Sequence, residues 1–193
     1  VRDFIKTHRV RQAVVVGGGM IGVKVAEAFA HMGMETTIVE LRERVLALAL
    51  DETGSLMAQQ ALEEHGVRVM TATGATSLGG SNGLVQSVTL DSGSRLPAQI
   101  VVMAVGVRPN IKLAQQAGLG VNRGILVDDH LRTSDPDIYA VGDVVEVEQF
   151  VTKSRALIPL AGPANRQARI AANNIAGQDD TYTGTQGTSI VKV

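Results

Sequence analysis

The chain has 193 residues, 45% of them apolar, enough to fill a core and to place it among folded chains of one or two domains. Eighteen Lys and Arg against 19 Asp and Glu leave a net charge of -1, so the positive excess of a nucleic-acid binder or a polybasic membrane anchor is missing. Cysteine is absent, which excludes a disulfide framework, Cys-based zinc sites and thiol chemistry carried by this chain.

The opening Val1-Arg2-Asp3-Phe4-Ile5-Lys6 has neither an apolar signal core nor an initiator Met, and no apolar run approaches a membrane span. The expectation is a soluble, cytoplasmic piece of a longer protein. Residues 11–16, ending in Ala13-Val14-Val15-Val16, read as a strand that meets three glycines, and a helical pattern follows at once. Ile21, Val25, Ala28 and Met32 recur at spacings of four, three and four and are expected to face a sheet, with Gly33 ending the helix. Thr36-Thr37-Ile38-Val39 then reads as a parallel strand reached by a right-handed crossover.

Asp51 is placed to cap a helix running to about His65, with Met57, Ala61 and Leu62 inward and Gly66 as its stop. Val67, Val69 and Thr71 open the next strand. Between there and residue 100, the turn signals Gly79-Gly80-Ser81-Asn82-Gly83 and Asp91-Ser92-Gly93 predict an antiparallel meander inserted into the parallel unit. Ile100 to Val105 returns as an apolar run expected to be a strand buried on both faces.

Gly106 to Asn110, broken by Arg108-Pro109, is the expected domain boundary, dividing residues 1–107 from 108–187. A short helix at 111–116, a strand at 124–127 and a buried strand at Ile138-Tyr139-Ala140-Val141 follow. The last helix is predicted to start at Gly162-Pro163, bury Ala164, Ala168, Ala171 and Ile175, and close at Gly177.

Two constellations carry chemistry. Gly17, Gly19 and Gly22 form G-x-G-x-x-G between a strand and a helix: one glycine for the tight turn, one for close approach to a pyrophosphate, one for helix–strand packing. Amide donors and the helix dipole then hold phosphates. Glu40 ends the next strand 18 residues beyond Gly22, where a carboxylate accepts hydrogen bonds from an adenosine ribose and repels a 2′-phosphate. NAD(H) is therefore favoured over NADP(H), with Arg42 and Arg44 read as solvated surface charges. In Thr133 to Asp143, the second constellation, Gly142-Asp143 is expected at the carboxyl end of a parallel strand, where open α/β sheets contact ligands.

GGGMIG, TSDPDIYAVGD and LIPLAGPANRQAR at 157–169, together with Gly106-Val107-Arg108-Pro109-Asn110, resemble the flavin-dependent pyridine nucleotide-disulfide oxidoreductases. Within them the chain is most similar to the branch of CoA-disulfide reductase, NADH oxidase, NADH peroxidase and NADH-dependent persulfide reductases. The resemblance implies an α/β architecture: a Rossmann-like NAD-binding domain, whose parallel sheet carries the inserted meander, followed by the returning part of an FAD-binding domain. Gly17, Gly18, Gly19, Met20, Ile21 and Gly22 would meet NAD, with Glu40 on the ribose and Gly106 near the nicotinamide. Gly142 and Asp143 would hold FAD by its ribityl chain, and Leu160, Ala161 and Gly162 would lie against the flavin.

Residues 188–193 would begin a dimerisation domain, so the parent is expected to be a homodimer acting on a small molecule. The resemblance further implies hydride transfer from NAD(P)H to FAD and on to a disulfide, persulfide, peroxide or oxygen acceptor. No catalytic residue falls in this chain, because the family's redox cysteine and first glycine motif are missing, and the isolated chain is expected to be inactive. Met20 stands where relatives often have Tyr or Phe, and Lys24 where they often have Glu. An NAD(H)-sensing regulatory module is the alternative for residues 1–107, against which the Gly142-Asp143 motif counts. The four histidines lack ligand spacing, Asp128 and Asp129 precede a turn, and no metal site is expected; Met32, Met57 and Met103 read as core fillers.

Overall fold

A computed structural model describes residues 1–188 and Ile190; most of the expected start of a dimerisation domain, Ser189 and Val191 to Val193, lies outside the described residues. The chain divides into two units, Val1–Gly106 and Val107–Ile190.

The first unit is built on β1 (Gln12–Val16), a run of apolar residues because both of its faces are covered. It pairs in parallel with β2 (Glu35–Val39) and with β7 (Ile100–Met103), and β2 pairs in parallel with β3 (Val67–Met70), giving the order β3-β2-β1-β7. Successive side chains of β1 point to opposite faces. Ala13 and Val15 enter a core with Val23, Ala26 and Phe29 of α2 (Met20–His31) and with Ala58 and Leu62 of α3 (Glu52–Glu64). Val14 and Val16 enter a second core with Val88, Leu90 and Ala98, from the meander of β4 (Ala75–Ser81), β5 (Leu84–Leu90) and β6 (Arg95–Pro97). α1 (Arg2–His8) adds Ile5 to the helical side.

Asp51 caps α3 as the sequence predicts, its Oδ1 accepting from the Gly54 N–H at 2.8 Å. The antiparallel order β4-β5-β6 matches the predicted meander, but its first turn is only Asn82-Gly83, both at positive φ, with Gly79 to Ser81 inside β4.

Several inner faces differ from expectation. In α2 the buried residues are Gly22, Val23, Ala26 and Phe29, while Ile21 is 61% exposed and Met32 lies at the surface. Gly22 must approach the glycine turn, and this sets the rotation of the helix; Ile21 and Ala28 are carried to its outer side, while Val25 stays half-buried against the core, as expected. In α3 it is Ser55, Ala58 and Leu62 that are buried, with Met57 exposed. β7 is an edge strand, half-buried, and ends at Met103, so Met103 and Val105 are exposed and Met103 is not a core filler.

In the second unit, β8 (Ile125–Leu126) pairs in parallel with β9 (Val145–Glu148), and β9 pairs in antiparallel with β10 (Arg155–Leu157). Val127, Leu131, Val145, Val147 and Tyr182 pack with Ile170 and Ala171 of α5 (Ala161–Ile175). The short α4 (Lys112–Gln116) forms where predicted.

Ile138 to Val141 is not a strand. Its strand pairing is a single antiparallel bridge, Arg132 to Tyr139, across the Pro136 turn, so the run is folded locally against residues 131–133, with Tyr139, Ala140 and Val141 half-buried against the core of the unit. The strand lies instead at Val145-Glu146-Val147-Glu148, which buries both valines and also Glu146, whose Oε1 accepts from the Gly124 N–H at 2.8 Å. In α5 the buried positions are Gln167, Ile170, Ala171 and Asn174, while Ala168 and Ile175 are exposed. Among the described residues no helix is long and apolar enough to cross a membrane.

Candidate functional site

The glycine turn joins β1 to α2 and is fixed by packing. Gly17 adopts φ 107°, and a Cβ there would sit 2.3 Å from the Ala104 carbonyl oxygen; its N–H donates to the Val39 carbonyl at 2.8 Å. A Cβ on Gly22 would sit 1.8 Å from the Gly17 carbonyl oxygen, so only glycine lets α2 come this close. Gly19, which caps α2, differs: a Cβ built there meets nothing within 4 Å. The turn therefore has two packed glycines and one open position, beside a helix N-terminus whose geometry suits an anion.

Glu40 follows directly on β2 and reaches back to the turn. Its Oε2 accepts from the Gly18 N–H at 2.5 Å and its Oε1 from the Arg42 N–H at 2.7 Å. The Gly18 carbonyl accepts in turn from the Leu46 N–H at 2.8 Å, and Val45 and Leu46 are buried beneath it. Arg42 is exposed, as expected. Arg44 is half-buried, with its Nε buried and unpartnered, which corrects its reading as a solvated charge. Met20 and Ile21 open α2 at the surface, and Lys24 pairs with Glu27 one turn on. Gly106 lies beyond β7 at φ 98° with open space around it.

In the second unit, Gly142-Asp143 forms the turn that precedes β9, which corrects its placement after a parallel strand. Gly142 donates its N–H to Oε1 of Gln167 at 2.8 Å, and Gln167 is 2% exposed in the middle of α5. This bond brings the exposed Asp143 beside the first turns of α5, where Leu160 is the N-cap and Ala161 and Gly162 are exposed. Gln167 is a residue that sequence reading passed over: a polar side chain on a helix gives no sign that it is buried.

Asp128, Asp129 and His130 bring ligand atoms within 4.8 Å of one another. These groups are satisfied by one another and by the backbone. Asp128 Oδ1 accepts from the N–H of His130 and of Arg132, and the His130 ring bridges Asp129 at 2.8 Å and Asp179 at 2.9 Å. Asp179 first, then Asp129, raise the His130 pKa above the ordinary imidazole value by hydrogen bonding to the ring.

Fold and glycine turn together define a Rossmann-type α/β chain. Residues 2–168 match the family described as pyridine nucleotide-disulphide oxidoreductase, and the chain belongs to that family. It is 34% identical over its whole length to an NAD(P)H sulfur oxidoreductase (CoA-dependent) of Pyrococcus abyssi and 35% identical to an NADH oxidase of Methanocaldococcus jannaschii, spanning 43% of each. Among solved structures it superposes over its full length on an NAD-dependent persulfide reductase from A. fulgidus (TM-score 0.94, 36% identity), covering 36% of that chain. It also superposes on the reduced CoADR-RHD of Bacillus anthracis (TM-score 0.92, 40% identity), covering 34% of that chain.

Proposed function

We propose that this chain supplies the NAD(H)-binding domain and part of the FAD-binding domain of a flavoprotein oxidoreductase. In that reading the boundary lies near residue 107, and the parent acts on a persulfide, a CoA-disulfide or oxygen. The observation that carries it is the open Gly19 position at the N-terminus of α2, flanked by a carboxylate at the end of β2. The Gly17 to Gly22 turn has the room and the donors for a pyrophosphate, and the Glu40 carboxylate the acceptors for a ribose, so these residues fit the cofactor. When bound, the nicotinamide supplies a hydride and the flavin accepts it.

This chain's own residues do the positioning. Gly17 and Gly22 hold the turn by close packing, leaving Gly19 and the N-terminus of α2 to face the phosphates. Glu40 selects a free 2′-hydroxyl by charge. Exposed Met103 and Val105, at the end of β7, offer an apolar wall leading to Gly106, suited to excluding water from a nicotinamide. In the second unit, Gln167 holds Gly142 so that Asp143 and the N-terminus of α5 present one acidic group and one positive dipole end to a flavin's polar tail.

Titration of the chain with NADH and with NADPH tests the proposal. Saturable NADH binding that is stronger than NADPH binding is expected, and a preference for NADPH would remove the role given to Glu40. A preparation of this chain that is colourless and does not turn over NADH with a disulfide is expected, since hydride acceptor and cysteine must come from outside it.

A further inference from the structure

Beyond α5 and Gly177 the chain runs back as a strap, residues 178–185, that crosses the 128–132 turn and ends on β9. Its far end is fastened by backbone: the Thr185 N–H donates to the Glu148 carbonyl and the Phe150 N–H to the Thr185 carbonyl, each at 2.8 Å. In the middle the Tyr182 N–H donates to the Asp129 carbonyl at 2.7 Å. The near end is held by side chains. Asn174 bonds both backbone groups of Asp180, Asn173 Nδ2 donates to the Asp180 carboxylate at 2.9 Å, and the His130 ring meets Asp179.

Both nitrogens of that ring face carboxylate oxygens, Nδ1 that of Asp129 at 2.8 Å and Nε2 that of Asp179 at 2.9 Å. An ionised carboxylate only accepts and a neutral imidazole has one N–H, so the pair of bonds needs the imidazolium. The turn carrying the ring is fixed by other means. Asp128 Oδ1 accepts from the N–H of His130 and of Arg132, and Leu131 between them is fully buried at φ 67°, a conformation its surroundings must impose. On the strap, by contrast, the Asp179 side chain is 93% exposed.

We propose that His130 is a proton-operated clasp: its imidazolium ties the near end of the strap to the 128–132 turn, and loss of the ring proton releases Asp179 while the far end stays on β9. A neutral ring turns a lone pair toward one of two carboxylates, and Asp179 is the one free to leave. The charges around the ring favour this. Asp128 and Asp129 lie on its own turn, and Asp179 and Asp180 on the strap. Arg132, the cation of that turn, is directed to the Tyr139 hydroxyl at 3.0 Å. From α5, neutral Asn174 donates to the His130 carbonyl at 3.0 Å, and Arg166 stands over the Tyr182 ring. Hydrogen bonding to Asp179, then to Asp129, raises the ring above the ordinary imidazole value, so the clasp is closed below that value and opens as pH rises through the raised one. Thr181 to Thr183 wall a cavity of about 470 Å³ against the β9–β10 hairpin, so movement of the strap alters that cavity.

The test is amide hydrogen exchange of the whole chain from about pH 5 to about pH 9, corrected for the intrinsic rate, with the ring titration followed by NMR. Protection of the Asp180 and Tyr182 amides is expected to fall by about tenfold, the scale of one hydrogen bond, across the midpoint of the ring, while Thr185 keeps its protection. His130→Gln cannot gain a proton and is expected to show no step. Asp179→Asn removes the strap's carboxylate and is expected to flatten the step. Constant protection in the wild-type chain through the ring's midpoint would overturn the proposal, as would a step that persists in His130→Gln. A fall shared equally by Thr185 would place the opening in the whole unit and overturn it too.

Discussion

Gly22→Ala puts a methyl group where the Gly17 carbonyl oxygen now lies 1.8 Å away, with the Gly17 carbonyl carbon at 3.0 Å and Val15 Cγ1 at 3.4 Å. The neighbour is backbone and cannot rotate aside, so α2 must lift from β1 by more than an ångström or the turn must open. Overpacking of this kind costs about 1–3 kcal/mol, and a rigid backbone neighbour places it at the upper end; alanine's helix propensity returns about 1 kcal/mol. The expected net loss is about 2 kcal/mol, or a fall of about 10 °C in the melting temperature of a unit this size. Thermal unfolding by circular dichroism, with amide exchange of Val14 to Val16 reporting on the first unit alone, reads this directly. Gly19→Ala is the control: its Cβ meets nothing within 4 Å and its φ of −76° suits any residue. It should melt close to wild type and yet bind NADH poorly, because the methyl group fills the open position. If Gly22→Ala melts within a degree or two of Gly19→Ala, close approach at Gly22 does not set the rotation of α2.

Asp51→Ala removes the side-chain cap on α3 and should cost about 1 kcal/mol in urea denaturation, whereas Asp51→Asn should be nearly silent. Gln167→Leu leaves the part-buried Gly142 N–H without its acceptor and should destabilise the second unit by about 1–3 kcal/mol; protection of the Gly142 amide should vanish with it. His130 should titrate above the ordinary imidazole range by NMR, and Asp179→Asn should lower its midpoint more than Asp129→Asn does. Because the folded-state value is raised, the ring's bonds to Asp129 and Asp179 contribute fully below the unfolded imidazole value. That contribution is lost as pH rises through the folded one. A midpoint at or below the unfolded value would contradict the two ring bonds.

The strand, glycine turn, helix and strand of the first unit were legible because Val14 to Val16 and Ile38-Val39 are apolar runs interrupted by residues that only a turn needs. The rotation of α2 was not legible. Apolar periodicity ranks Ile21 above Gly22, whereas the contact that fixes the helix is made by the residue with no side chain. In α5 the same weighting favoured Ala168 and Ile175 over Gln167 and Asn174, which are buried because they are bonded. Gln167 holds Gly142; Asn174 donates to the carbonyls of His130 and Asp180 and accepts from the Asp180 N–H. Ile138 to Val141 looked like a strand by composition, but pairing is a property of the neighbour as well as of the run, and the neighbour it finds is its own turn. Position in the chain placed Glu40 at the end of β2, where it lies; its two hydrogen bonds, from Gly18 and Arg42, needed coordinates, since nothing in a Glu signals which donors it meets.

The partners of the glycine turn come from far along the chain: Val39 and Glu40 after one crossover, Leu46 beyond it, and Ala104 just past the last strand of the unit. Its conformation is therefore a product of sheet assembly, not a local preference. A peptide carrying only β1, the turn and α2 would lack every one of those restraints. A mutation that weakens the β1–β7 pairing is therefore expected to loosen the glycine turn without changing any residue in it.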